Sequence, residues 1–217
     1  MRALQCMFLI LALGACRTTQ TPPYTPHAVQ APQGQAYIHV NSGMVFPVGV
    51  GPFTRAGVTR YSENAYDESV GYNAHAMAPG SEIAATVYVY PAPPLRSYGS
   101  PPEVIASARR QLCAYNFSNA RLDIERANPD ATLISSAEAV LHNGGAMHHG
   151  FQAHYNFTAR RFAMRDAVPV RSELYVFCAS ERWLVKYRFT YPAEYDASPH
   201  IDAFLRGLLW TIPSAFN

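Results

Sequence analysis

The residues from Glu82 to Tyr90 alternate without a break. Ile83, Ala85, Val87 and Val89 fall on one side, and Ala84, Thr86, Tyr88 and Tyr90 on the other. A period of two belongs to a strand, because successive side chains of an extended backbone point to opposite faces of a sheet. Pro91, Pro93 and Pro94 then close the segment, since proline brings no N–H to a ladder. Phe53 to Ser62 also alternates, with Phe53, Arg55, Gly57, Thr59 and Tyr61 expected on one side. A further strand is expected around Val70 to Ala76, after the acidic loop Glu63 to Glu68. Later in the chain the pattern comes in pairs. Thr132 to His142 runs into Asn143-Gly144-Gly145, a strong hairpin turn signal, and Met147 to Ala159 returns. Val168 to Ala179 and Arg182 to Tyr191 form a second pair, joined at Ser180-Glu181.

Two segments carry a helical period instead. Pro101-Pro102 opens the first, proline being tolerated in a first turn. Val104, Ile105, Ala108, Leu112 and Tyr115 make one stripe, and Phe117, Ala120, Ile124 and Ala127 a second, rotated one. This predicts two helical pieces or one kinked helix, stopped by Pro129. The second segment begins near Ser198-Pro199 and lines up Ile201, Phe204, Leu205, Leu208 and Leu209 on one face. The chain has 217 residues, 49% of them hydrophobic, enough for one core and short for two. The expected fold is α+β: a mainly antiparallel sheet with two main helical segments packed on it, forming a single domain over 37–217. The element order is similar to the Mog1/PsbP-like fold. The likeness is carried by the strand ending in Tyr90-Pro91, the helix from Pro102, and Trp183-Leu184-Val185-Lys186-Tyr187-Arg188-Phe189 before a terminal helix. Members of that fold serve as accessory or binding subunits more often than as enzymes.

The N-terminus reads as an address. Arg2 precedes Ala3 to Leu13, which is apolar apart from Gln5. Such a stretch spans roughly 16 Å as a helix, too short for a membrane core of about 30 Å, so it reads as a signal peptide over 1–15. Leu13-Gly14-Ala15-Cys16 resembles the lipobox of bacterial lipoproteins. The resemblance implies a diacylglyceryl thioether on Cys16, which becomes the acylated N-terminus and anchors the chain in a membrane. Arg17 is not the aspartate associated with inner-membrane retention. The resemblance therefore implies the cell envelope, at the outer membrane facing the periplasm, if the host is Gram-negative. Residues 16–36 hold Pro22, Pro23, Pro26 and Pro32 among Thr and Gln, and read as the lipidated cysteine and a flexible tether. The alternative is an arm packed along the domain, with Tyr24 its best contact.

With Cys6 in the signal and Cys16 lipidated, Cys113 and Cys178 remain. An oxidising periplasm invites a bridge between them. Two buried free thiols are the alternative, and Cys113 sits opposite the main stripe of its helix, which counts against bridging.

Few residues suggest chemistry. The 17 basic and 15 acidic residues are too balanced for a nucleic-acid binder. Lys186 is the only lysine. His142, His148, His149 and His154 gather at the central hairpin, where a metal site would need three or four of them to converge. Exposed strand histidines are the favoured reading, with no metal and no cofactor. Glu63, Asn64, Asp67 and Glu68 lack the spacing and glycine of a calcium loop and read as solvated. G-x-S-x-G, P-loop and G-x-G-x-x-G motifs are absent. Tyr61, Tyr72, Tyr88, Tyr90, Tyr155, Tyr175, Tyr187 and Tyr191 interleave with Arg55, Arg60, Arg171 and Arg188, as in a binding surface or an ordinary half-solvated sheet. The expectation is a non-enzymatic envelope lipoprotein that binds or scaffolds an envelope partner protein. The rival is a periplasmic enzyme or a small-ligand or metal-binding protein, with His148, His149, His154 and Glu173 as first guesses for its site.

Overall fold

The computed structural model describes residues 24–74, 82–95, 99–160 and 166–212. The signal segment and Cys16 lie outside the described residues, as do residues 75 and 76 of the second expected strand. The described chain forms β1 (His27–Val29), β2 (Tyr37–Ile38), β3 (Val45–Phe46), β4 (Gly49–Val50), β5 (Phe53–Arg60), β6 (Glu68–Ala74) and β7 (Ile83–Pro91). Helix α1 (Pro102–Ala127) follows, then β8 (Thr132–Asn143), β9 (Ala146–Ala159), β10 (Val168–Cys178), β11 (Trp183–Pro192) and α2 (Ser198–Gly207). The main sheet runs β1-β5-β6-β7-β11-β10-β9-β8, with β4 added beside β5, and β2-β3 is a separate ribbon. Every pairing is antiparallel. The protein is thus an α+β domain built on an antiparallel sheet with two helices packed on it.

The alternation of the strands sends side chains into two cores. Ile83, Val87 and Val89 of β7 and Val185, Tyr187 and Phe189 of β11 meet Phe204 and Leu205 of α2 on one face. Leu184 of β11, Val176 of β10 and Tyr155 of β9 meet Phe117, Ala120 and Ile124 of α1 on the other. Asn143, in the hairpin turn, closes the first face by holding the end of α2. Its Nδ2 donates to the carbonyls of Leu205 and Leu208 at 3.1 and 2.8 Å, and its Oδ1 accepts from Trp210 N at 2.8 Å. Those donors and acceptors satisfy groups that a helix terminus leaves open.

Three points of the sequence reading are decided by the structure. First, α1 is one unbroken helix, and its buried stripe is Cys113, Phe117, Ala120 and Ile124. Val104 and Tyr115, from the stripe expected to pack, are 52% and 67% exposed. The helix rotates because its amphipathicity is weak, so the sheet strip it faces decides the orientation. Second, that rotation brings Cys113 to Cys178: their sulfurs are bonded, with Cα atoms 5.8 Å apart. Closing 65 residues lowers the entropy of the unfolded chain, worth about 4 kcal/mol in the loop-closure model. Third, an irregularity between Arg55 and Gly57 inserts one residue into β5. Arg55 therefore shares a face with buried Phe53, while Gly57, Thr59 and Tyr61 turn to the other.

The expected flexible tether is corrected for residues 27–35, which form an arm packed along the domain. β1 pairs with β5, and Arg55 donates from Nη2 to the carbonyls of Pro32 and Gln35, both at 2.8 Å. Tyr24 meets His27, three residues on, with its hydroxyl 2.7 Å from Nδ1.

Gly150 of β9 shows how tightly the sheet is filled. A Cβ there would lie 2.3 Å from the Val176 carbonyl oxygen and 2.5 Å from Phe177 Cδ1. Neither atom has room to retreat, so Gly150→Ala should cost about 1–3 kcal/mol. Gly57→Ala adds a Cβ with nothing within 4 Å and should be close to neutral. Urea unfolding of the two variants checks the contrast, and equal midpoints would show that β9 accommodates the methyl group.

Candidate functional site

β11 places Lys186 and Arg188 on the α1 face, between the core residues of the opposite face. Lys186 stands opposite Tyr88 in the ladder. Its Nζ lies 4.0 Å from the Tyr88 ring centroid and 5.8 Å from that of Tyr90. The loop between β5 and β6 brings Tyr61 and Asp67, and α1 brings Asn116, Asn119 and Asp123. Together these line a cleft of about 240 Å³. Burial lowers the Lys186 ammonium below its usual range, and the carboxylates of Asp123 and Asp67 oppose that shift. Asp67 is raised by its own burial and held down in part by Lys186. Burial pushes Tyr88 up to about 12. The cleft thus offers aromatic faces, two carboxylates, two amides and a single cation whose charge those carboxylates balance. The lone lysine was visible in the sequence; its neighbours come from a loop, a strand and a helix far apart in the chain and were not.

A second polar group is buried under β2. Glu68 is 2% exposed, which corrects its expected place in a solvated acidic loop. It opens β6 and accepts from the Tyr37 hydroxyl at 2.6 Å and Arg60 Nε at 2.8 Å. Burial and this bond push Tyr37 up to about 12. Buried His39 lies beside it, with Nε2 4.0 Å from Glu68 Oε2. His39 Nδ1 accepts from Ser42 N at 3.2 Å and sits 2.7 Å from Ser42 Oγ. Ser42 Oγ in turn accepts from Met44 N at 3.2 Å. The residue types suggest a hydrolytic triad, but Ser42 is 3% exposed and binds its own turn, so the group fixes the 37–44 loop.

His154 Nε2 faces Glu173 Oε2 at 3.7 Å. Glu173 also accepts from Tyr175 at 2.6 Å and Tyr191 at 2.5 Å. The structure therefore brings together two of the first-guess residues and separates them from the others. His148 packs on Trp210, with ring centroids 4.3 Å apart. His149 lines a cavity of about 310 Å³ with Arg110 and Glu138 beside the disulfide. His142 and His149 share one sheet face, and His148 and His154 the other. Among the described residues no three His, Cys, Asp or Glu side chains are grouped to hold a metal ion.

The aromatic residues divide as well. Tyr72, Tyr155, Tyr175, Tyr187 and Tyr191 are buried in the cores, which corrects their place on a surface. Tyr61, Tyr88 and Tyr90 remain half-exposed at the cleft. Among the described residues no helix is long and apolar enough to cross a membrane. No protein-family model matches the sequence, and no curated protein sequence matches it.

Two titrations test this description. Burial lowers the His39 pKa, and that of His148 likewise. The unfolded chain, with histidines near pH 6.5, then takes up protons first on acidification. Stability from these groups is complete above about pH 6.5 and falls as the pH drops toward the lower folded values. The urea midpoint should fall between about pH 7.5 and 5.5, and less steeply in His39→Gln. An unchanged slope in that variant would place the effect on other groups. Separately, reductive ¹³C-methylation should give one lysine resonance, titrating below the ordinary 10.5. A midpoint at or above that value would show Lys186 to be solvated.

Proposed function

We propose that this protein is an envelope lipoprotein, anchored through lipid on Cys16, whose α+β domain binds or scaffolds a partner in the periplasm. The observation that carries the reading is Leu13-Gly14-Ala15-Cys16 directly after a short apolar stretch. The bond between Cys113 and Cys178 supports it, because disulfides persist in oxidising compartments such as the periplasm. Arg17 after the lipidated cysteine favours the outer membrane. Binding is favoured over catalysis by the state of the buried carboxylates. Glu68 and Glu173 are each held by two donors, Tyr37 with Arg60 and Tyr175 with Tyr191. A carboxylate saturated in this way serves the fold rather than proton transfer. The cleft around Lys186 is the place we assign to recognition, since its polar groups converge from several elements on one concavity.

Expression of the full chain in a Gram-negative host with an alkyne analogue of palmitate tests the anchor. The wild type should carry the label in the outer-membrane fraction, and Cys16→Ser should lose it. An unlabelled wild type, or a labelled Cys16→Ser, would refute the anchor. Crosslinked envelopes should enrich a partner over a lipidated control domain, and failure to do so would count against the binding role.

A further inference from the structure

Among the described residues, no helix covers the α1 face of β5, β6 and the first half of β7, beside the Lys186 cleft. Gly57 and Gly71 stand directly opposite each other in the β5–β6 ladder and point to that face. Glycine within a strand weakens it, so it calls for a reason. The bulge before Gly57 accounts for that glycine in part, but Gly71 has no irregularity in its ladder and neither residue has positive φ. Packing supplies no further reason. A Cβ on Gly57 would meet nothing within 4 Å, and one on Gly71 only the Gly57 carbonyl oxygen, at 3.9 Å. Among the described residues, no aromatic ring comes within 4 Å of either Cβ position. Missing side chains with open space above them suit a flat group from outside that rests on the sheet.

The trough over these glycines holds about 570 Å³ and continues into the Lys186 cleft through the shared residues Tyr61 and Tyr88. Its sides carry the hydroxyls of Thr59, Ser69 and Thr86 and the two phenols. Apart from those phenols, the described residues of its lining include no ionisable side chain. At its far end the single cation lies between two carboxylates.

We propose that the trough and cleft form one binding site for an uncharged oligosaccharide, N-acetylated amino sugars included; this deepens the reading of the domain as a binding module. A sugar ring is flat enough to lie on the glycine floor. Its C–H faces pack against Tyr61 and Tyr88, and its hydroxyls match a lining that both donates and accepts. Charge complementarity decides against other ligands. A nucleic acid or acidic polymer needs a surplus of cations, which Asp67 and Asp123 remove at Lys186. A lipid tail needs a continuous apolar lining, whereas here Ala28, Val29 and Ala56 share the walls with three hydroxyls and two phenols. A peptide added as a strand needs a free edge, whereas β5, β6 and β7 are paired to one another beneath the trough.

The test uses the full chain in detergent, titrated calorimetrically with tetra-N-acetylchitotetraose and with cellotetraose. At least one should bind saturably, with Kd of about 1 mM or tighter. Tyr88→Ala and Gly57→Val should each weaken that binding by about tenfold or more. Gly57→Val should keep the wild-type melting temperature, because the added side chain enters empty space; should it not fold, Tyr61→Ala replaces it. The proposal is overturned if neither sugar binds at about 10 mM, or if Gly57→Val binds as well as the wild type. It is also overturned if only a polyanionic sugar binds. A dimer that Gly57→Val dissociates, with no sugar bound, would assign the trough to a second copy and overturn it too. None of these outcomes bears on the palmitate label of Cys16, so the anchor and the ligand fail separately.

Discussion

The sheet is wider than the helix that covers it. Eight strands side by side at about 4.8 Å span roughly 34 Å, while an α-helix with its side chains is about 10 Å across. A single helix can therefore shield only two or three strands of a face. The opposite face has more cover: α2, the 37–50 segment and the residues after α2 combine to seal it. On the α1 face, the disulfide and the Phe117–Ile124 stripe hold the helix over β9, β10 and the near side of β11. Among the described residues, β5, β6 and the first half of β7 then have no helix over that face, while Tyr90 at the far end of β7 still packs against the α1 core. The cleft and the trough exist because coverage stops within β7.

β11 runs through the transition. Its odd-numbered residues from Trp183 to Tyr191 all enter the α2-side core. Its even-numbered residues change character as the strand leaves the shelter of α1: Leu184 is buried against the helix, while Lys186 and Arg188 are half-exposed. One strand thus serves as core on one side and as both core and site wall on the other. The buried carboxylates stabilise the two ends of the α2 side, Glu68 under the 37–44 loop and Glu173 beside His154. Their hydrogen bonds let charged groups sit in the interior, where an unpaired one would be strongly unfavourable.

Much of this was legible in the residues. The alternation of Ile83 to Tyr90 assigned each side chain of β7 to the face it takes. Asn143-Gly144-Gly145 marked the hairpin, and the Ile201–Leu205 face marked α2. What local patterns missed depends on distant partners. The stripe through Val104 and Tyr115 is as regular as the one through Phe117 and Ile124, and only the sheet chooses between them. The extra residue near Ala56 in β5 leaves no mark on composition, yet it reverses the face of every residue before it. Glu68 looked solvated because its acidic neighbours are adjacent in sequence, while Tyr37 and Arg60 reach it from other strands. Lys186 stood out as the single lysine, but Tyr61, Asp67, Tyr88 and Asp123 gave no local sign that they surround it.

The sequence by itself determined the elements from β5 onward, their order and the antiparallel hairpins, but not the four short strands before them. The former follow from short-range periods and turn chemistry that each segment carries alone. It also carries the Leu13–Cys16 pattern on which the proposed anchor rests. Only the tertiary structure decided which side of α1 faces inward, that Cys113 meets Cys178, and that Gly57 lies beside Gly71 on an open face. Those outcomes depend on the summed burial of side chains far apart in the chain, and on the simple excess of sheet width over helix width.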